Sequence, residues 1–118
     1  MQTSIFTRLD ALSCTDLSDA MDRLNIVCQC TDIMPLDRTF KLTGKAWTPT
    51  TGVQPDDWLR GDGDGLVVIP AGSLSQVLAV AEEIHQAEEH IRAAIEAGVP
   101  LRRARADYGY HALQTPRR

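Results

Sequence analysis

The sequence predicts an α+β fold, in which a small, mostly antiparallel sheet is covered by an N-terminal helical pair and one long C-terminal helix. Three observations lead to this prediction. Residues 74–97 contain neither proline nor glycine. Two short apolar segments flank a glycine-rich turn at 61–65. Residues 39–48 alternate apolar or small side chains with polar ones, which is typical of a half-buried strand.

The N-terminal part, residues 1–48, predicts two helices ahead of this strand. Apolar residues recur at helical spacing over residues 4–12. Thr15 is the predicted N-cap of the second helix, whose first turn is acidic, as the helix dipole favours. Asn25 is the predicted left-handed stop of that helix.

The C-terminal part predicts a hairpin, with strands at 57–60 and 66–69 joined by the turn at 61–65. The turn resembles a calcium loop. However, an EF-hand that began at Asp62 would need a glutamate twelve residues in, where this chain has Ser73. A tight connection between two strands is therefore the favoured interpretation.

The long helix, residues 74–97, is the longest predicted element. Ser73 and Gln76 have the spacing of a capping box at its start. Gly98 stands where a C-terminal glycine stop belongs, and a further short helix is predicted over 101–108. The chain of 118 residues is interpreted as a single domain, with residues 109–118 as a tail.

Charge and composition exclude several classes of partner. The net charge of −4 argues against a nucleic-acid binder, and no apolar run is long enough to span a bilayer. Residues 92–118 carry +4 and residues 1–91 carry −8. The basic end is interpreted either as a tail that docks on an acidic neighbour, such as another subunit, or as a solvated end.

Three cysteines, Cys14, Cys28 and Cys30, form an odd set without the spacing of a disulfide framework. A metal site at Cys28-x-Cys30 is the less favoured interpretation, because no second Cys/His pair follows at finger-like spacing. We expect ordinary thiols, no signal peptide and a cytoplasmic location.

Glu88 is the main candidate for a functional residue. Stepping along the long helix by four and three residues places Glu88 on the same stripe as the apolar residues Val77, Ala81, Ile84, Ile91 and Ile95. A carboxylate in an apolar seam needs a partner, a metal or a shifted pKa. An ion pair with an arginine across a subunit boundary is the structural alternative.

Two further groups of side chains are candidates for a site. Glu82, His85 and Glu89 are spaced to share one face of the helix, so they form either a set of metal donors or an ordinary solvated face. Trp47 and Trp58 flank the loop after the first strand and are expected in the core, at an interface or in a pocket wall.

Two stretches of the chain resemble the RraA / 4-hydroxy-4-methyl-2-oxoglutarate aldolase family. Residues 12–48 contain LSCTDLSDAMDRLNI and DIMPLDRTFKLTGKAWT, which are similar to the family's capped helix, Pro-Leu turn and Leu-x-Gly-x-Ala-x-Thr strand. Residues 52–108 contain GVQPDDWLRGDGDGLVVIP and AEEHIRAAIEAGVPL, which are similar to its closing hairpin and C-terminal helix. Asp56 departs from the usual glycine of that hairpin.

The family's catalytic middle is absent from this chain. In the family, that segment carries a glycine-rich helix start and an Arg-Asp pair for the oxo acid and the divalent metal. Here residue 48 leads almost directly to residue 52, and no Arg-Asp dipeptide occurs in the sequence. The resemblance therefore implies a shortened RraA-like fold without the metal-dependent aldolase chemistry, and no cofactor is predicted.

The resemblance also implies a position for a catalytic carboxylate. In the family, a glutamate on the C-terminal helix reaches a neighbouring subunit's active site, and the register points to Glu88 or Glu89. Members assemble through this region as trimers and hexamers. A homo-oligomer, trimer or hexamer, whose subunits cover each other's exposed sheet face is expected.

The sequence leaves two functions open. The first is a metal-independent enzyme of lyase, cyclase or isomerase type, with Glu88 and Glu89 as catalytic residues in an intersubunit cleft. His85, Arg92, Trp47 and Trp58 would bind a small organic molecule such as an oxo acid. The alternative is a non-catalytic binding or regulatory protein that acts by protein–protein contact.

Overall fold

The computed structural model describes residues 4–27, 29–47 and 53–109 and has the α+β architecture predicted from the sequence. The helices α1 to α4 span Ile5–Asp10, Cys14–Arg23, Leu74–Glu96 and Leu101–Asp107. The strands β1 to β4 span Gln29–Cys30, Leu42–Lys45, Trp58–Asp62 and Gly65–Ile69. They form one antiparallel sheet in the order β1-β4-β3-β2.

The sheet joins the N-terminal part of the chain, which supplies β1 and β2, to the C-terminal part, which supplies β3 and β4. Strand β2 pairs with β3, so that Leu42 lies opposite Gly61 and Lys45 lies opposite Trp58. Strands β3 and β4 form the predicted hairpin, with Asp62 opposite Gly65 at its turn. Strand β2 is shorter than the alternation over 39–48 predicts.

The start of α2 differs from the prediction. Ser13, rather than Thr15, is the N-cap, and its hydroxyl accepts a hydrogen bond from the backbone N–H of Asp16. The carboxylate of Asp16 in turn accepts from the N–H of Ser13, which completes a capping box with aspartate in the place usually held by glutamate or glutamine. This reciprocal pair fixes the helix start before Cys14. The stop at Asn25 is confirmed by its φ of 60°.

The predicted capping box at the start of α3 is wrong. Ser73 makes no capping hydrogen bond from its side chain, because it ends a 3₁₀ turn, Ala71–Ser73, that runs directly into the helix. Its backbone is helical, whereas an N-cap residue is normally extended. The end of the helix follows the prediction, since Gly98 has a φ of 96°.

The hydrophobic core lies between the helices and one face of the sheet. Helices α1 and α2 contact the sheet, and α3 packs along α2. The stripe on α3 is buried at Val77, Ala81, Ile84 and Ile91, whereas Ile95 is exposed. The largest fully buried side chains are Leu9, Leu17, Met21, Ile69, Val77, Leu78 and Ile84.

The opposite face of the sheet is covered in part by the chain itself. Residues 33–38 lie across the β3–β4 turn, where the carbonyl oxygen of Arg38 approaches Gly63. That subunits cover each other's exposed sheet face stays a prediction.

Some predicted features lie outside the described residues, namely Cys28 and the part of the tail from residue 110 onward, with Arg117 and Arg118. In the portion of the chain that the structure describes, no helix combines the length and apolar character needed to cross a bilayer.

Candidate active site

A polar cleft with a volume of about 300 Å³ lies where the start of α2, the middle of α3 and the ends of β2 and β3 meet. It gathers acidic, basic and imidazole side chains from four segments that are far apart in the sequence. Its polar lining residues are Asp10, Ser13, Asp16, Lys41, Arg60, Asp62, His85, Glu88, Glu89 and Arg92.

Asp16 is the fixed carboxylate of this cleft. It is buried, and one of its oxygens, Oδ2, accepts the N–H of Ser13 at 3.1 Å. The Nδ1 atom of His85 lies 3.1 Å from the same oxygen. Because the capping box holds the carboxylate at the helix start, the imidazole of His85 is oriented by a rigid partner.

Glu88 places a second carboxyl group against Asp16. Burial raises the pKa of Glu88, and the charge of Asp16 together with a hydrogen bond to it raises this pKa further. The charge of Asp19 acts in the same direction, whereas His85 opposes the shift. A carboxyl group beside a carboxylate keeps its proton more readily, because two carboxylates repel each other. The cleft thus contains a carboxyl group that keeps its proton to a higher pH than an ordinary glutamate does.

Arg60 connects the segments around the cleft. Its buried guanidinium donates to the carbonyl oxygens of Leu12 at 3.1 Å and Gly61 at 3.1 Å. It also donates to those of Leu42 at 3.3 Å and Asp10 at 3.4 Å. Its hydrogen-bonding capacity is largely used by the backbone, so Arg60 holds the walls together rather than binding a ligand.

Asp62, which lines the cleft, is held by the start of α2 and by the β3–β4 turn. The carboxylate of Asp62 accepts the N–H of Cys14 at 2.8 Å and that of Asp64 at 2.9 Å. Burial opposes ionisation of Asp62, but these hydrogen bonds and Arg60 outweigh it, so its pKa is lowered. Burial and the charge of Asp62 raise the pKa of the Cys14 thiol to about 12. Cys14 is therefore no nucleophile at neutral pH.

The three residues considered as metal donors on α3 have separate partners. Arg8 Nε donates to Glu82 Oε1 at 2.6 Å, and Arg92 donates to Glu89 at 2.8 Å. His85 lies against Asp16 instead. Within residues 4–27, 29–47 and 53–109, no three His, Cys, Asp or Glu side chains are grouped as metal ligands.

The two tryptophans lie away from the polar cleft. Trp58 is buried in the core, where its ring packs edge-on against Phe6 at a centroid distance of 4.9 Å and Lys45 lies over it. Trp47 is 95% exposed. The other four residues predicted for the site, His85, Glu88, Glu89 and Arg92, all line the cleft.

Sequence reasoning missed the partner of Glu88. In the sequence, Asp16 is only one acidic residue of a predicted helix start, and nothing marks Lys41 or Arg60 as cleft residues. The spacing Ser13-x-x-Asp16 is a signal that would have located the capping box and the helix start. No local signal places Asp16 beside α3, because that contact depends on how α2 packs on α3.

Comparisons with known proteins identify the fold but no function. No protein-family model and no curated protein matches the chain. The structure is similar to the crystal structure of an uncharacterized protein from Pseudomonas syringae pv. tomato str. DC3000, with a TM-score of 0.80 and 17% sequence identity. The match covers 92% of this chain and 95% of the other. At this level of identity the likeness extends to the fold alone.

Proposed function

We propose that this chain is a small-molecule enzyme of lyase, cyclase or isomerase type, with Glu88 as its acid/base group. One observation carries the proposal, namely that Glu88 sets its carboxyl group against the buried carboxyl group of Asp16 inside a polar cleft. Such pairs are the usual way in which proteins keep a carboxylic acid protonated at higher pH.

Asp16 and Glu88 take different roles in this proposal. Asp16 is buried and is held by Ser13 and His85, whereas Glu88 is half-buried and faces the cleft. Glu88 therefore transfers the proton, and Asp16 is the positioning residue. When Glu88 gives its proton to one atom of a substrate, the two facing carboxylates favour its recovery from another atom. This cycle suits a proton shift or a bond cleavage next to a carbonyl group.

Lys41 and Arg92 are the groups of the cleft that would bind the carboxylate of a substrate such as an oxo acid. Lys41 lines the cleft and makes no ion pair among the described residues. Arg92 lines it too, and its guanidinium is held by Glu89. Glu89 is thus proposed as the residue that positions Arg92 rather than as a second acid/base group.

The proposal includes self-association through the C-terminal helices. Glu88 and Arg92 also line a groove of about 490 Å³ between α3 and α4, whose apolar side chains include Ile95 and Leu101. Both of these side chains are exposed. A second copy that covers this groove would enclose the cleft and exclude water from Glu88. The free thiols of Cys14 and Cys30 are consistent with a reducing, cytoplasmic setting.

Proton exchange with small oxo acids tests the catalytic proposal. Pyruvate, oxaloacetate and 2-oxoglutarate would be incubated with the protein in D₂O, with deuterium uptake and product formation followed by NMR. We expect Glu88→Gln to reduce the rate by about 100-fold or more, since the amide cannot transfer a proton. Asp56→Asn, an equivalent change at an exposed carboxylate that lines neither the cleft nor the α3–α4 groove, should leave the rate unchanged.

Two outcomes would count against the enzyme. Full activity in Glu88→Gln would exclude the acid/base role of this residue. The absence of protein-dependent exchange with the whole panel would favour the non-catalytic binding protein. The oligomeric size of both variants, measured on the same preparation, controls for misassembly.

A further inference from the structure

Next to the polar cleft lies a second, mostly apolar cavity, on the face of the sheet that points away from the helices. Its volume is about 350 Å³, and Lys41 and Asp62 line it together with the cleft. We name it the apolar chamber. Its apolar walls consist of Ile33, Met34, Pro35, Phe40, Leu42 and Leu66.

The glycine-rich turn builds this chamber. A Cβ atom on Gly63 would lie 2.7 Å from the carbonyl oxygen of Arg38, so only glycine allows residues 33–38 to lie flat on the turn. Gly65 has a φ of 139°, and a Cβ there would lie 3.5 Å from the carbonyl oxygen of Ile33. The glycine-rich turn, residues 61–65, thus supports the segment 33–38, which covers the chamber.

The floor of the chamber is formed by three residues that lie side by side on neighbouring strands. Leu42, Gly61 and Leu66 are opposite one another on β2, β3 and β4. Gly61 contributes no side chain and so leaves room between its two leucine neighbours. Of the residues that line the chamber, Ile33 and Phe40 remain more than half exposed, at 52% and 57%. An apolar ligand would remove this area from water.

Charge at the junction of the two cavities identifies the polar end of such a ligand. The carboxylate of Asp62 is already occupied by the N–H groups of Cys14 and Asp64. The ammonium of Lys41 has no ion-pair partner among the described residues. The ammonium of Lys41 is therefore the charged group at the junction that is left to bind a ligand, and it complements a carboxylate.

We propose that the substrate is an amphipathic carboxylate, with its apolar part in the chamber and its carboxylate at Lys41. This inference rests on the proposed function, because Lys41 lines both cavities and so holds the carboxylate end of the ligand beside the polar cleft that contains Glu88. It assigns the chamber to a small molecule rather than to a second copy of the chain.

A series of straight-chain ligands tests the assignment by binding alone. Acetate, hexanoate and octanoate would be titrated into the isotope-labelled protein and followed by NMR, with octanol and octylamine as charge controls. We expect affinity to rise about threefold to fourfold per added CH₂ group until the chamber is filled. Octanoate should bind at least tenfold more tightly than octylamine.

Three variants distinguish binding in the chamber from non-specific hydrophobic binding. Phe40→Ser should weaken octanoate binding at least fivefold, whereas Leu36→Ser, a fully exposed leucine of the same segment that does not line the chamber, should leave it unchanged. Lys41→Gln should weaken octanoate at least tenfold and leave octanol within twofold. All three positions are exposed, so the variants should fold.

Different results would contradict the inference about the chamber and the proposed function. Octanoate should still bind Glu88→Gln, so chain-length-dependent binding without turnover would remove only the catalytic proposal. Octanoate that binds no more tightly than acetate, or octylamine that binds as tightly as octanoate, would overturn the inference. Self-association that Phe40→Ser abolishes would also overturn it, because the chamber would then be an interface between copies.

Discussion

Replacing Glu88 by glutamine tests whether a proton is held between Glu88 and Asp16. In the folded protein, burial and the charge of Asp16 raise the pKa of Glu88 above its ordinary value of 4.5. The folded chain therefore retains this proton to a higher pH than the unfolded chain. The stability it contributes is fully present below about 4.5 and is lost as the pH rises through the raised pKa.

The expected size of the effect follows from the contact that is lost. A hydrogen bond to a charged partner contributes about 1.5–3 kcal/mol. Glu88 is half-buried, so solvent screens the pair and the lower figure, about 1.5 kcal/mol, applies. For a chain of 118 residues this corresponds to a shift in Tm of about 5 °C. Glutamine keeps an N–H donor toward Asp16 at every pH and should not show this loss.

Thermal unfolding of both proteins between pH 4 and 8 is the assay. The Tm of the wild type should fall relative to that of Glu88→Gln as the pH rises above 4.5, by about 5 °C in total. His85 and Asp19, which also face Glu88, are present in both proteins, so the comparison isolates the carboxyl group of Glu88. A constant difference in Tm across this range would refute a proton shared by Glu88 and Asp16.

Four further predictions follow from the same structure. Gly63→Ala should lower the free energy of unfolding by about 1–3 kcal/mol, because the new Cβ would clash with the carbonyl oxygen of Arg38. Gly72→Ala is the control and should not lower it, because a Cβ there would meet no atom within 4 Å; chemical denaturation measures both variants. Ser13→Ala should cost about 1 kcal/mol through loss of the capping box, and an unchanged denaturation midpoint would contradict that role. Light scattering at micromolar concentration should give a trimer or larger for the wild type and smaller particles for Ile95→Asp; a stable wild-type monomer would refute assembly through the α3–α4 groove. A chelator should leave Tm and any turnover unchanged, since the three candidate ligands on α3 have separate partners, and stoichiometric metal that is lost together with function would contradict this.

The outcome of the helix predictions has a local explanation. The length of α3 follows from a long stretch of good helix formers that ends at Gly98. Its start at Leu74 is as predicted, but the capping box at Ser73 is wrong because a 3₁₀ turn replaces the cap. At α2 the choice between Ser13 and Thr15 depended on one reciprocal pair of hydrogen bonds. Helix bodies are fixed by many residues acting together, whereas each end depends on the conformation of one residue.

The alternation in β2 was recognised correctly, but its consequence was not. A period of two separates the side chains into two sets on opposite faces, but it does not show which set faces the helices. In the structure Leu42 faces the apolar chamber and is 52% exposed, whereas the core side of the sheet is filled from β3 and β4 by Trp58, Val67 and Ile69. Which face meets the helices is decided by the packing of the whole sheet.

The sequence by itself determined the fold class, the β3–β4 hairpin and the long helix, because each depends on periodicity and turn residues within a short window. It also placed Glu88 on the stripe of α3, since that position follows from helical spacing. Only the tertiary structure brought Asp16 to Glu88, and it separated the tryptophans from the cleft. The physical reason is the separation in sequence. The contact between α2 and α3 joins residues about seventy positions apart, and no local preference encodes which side chains meet there.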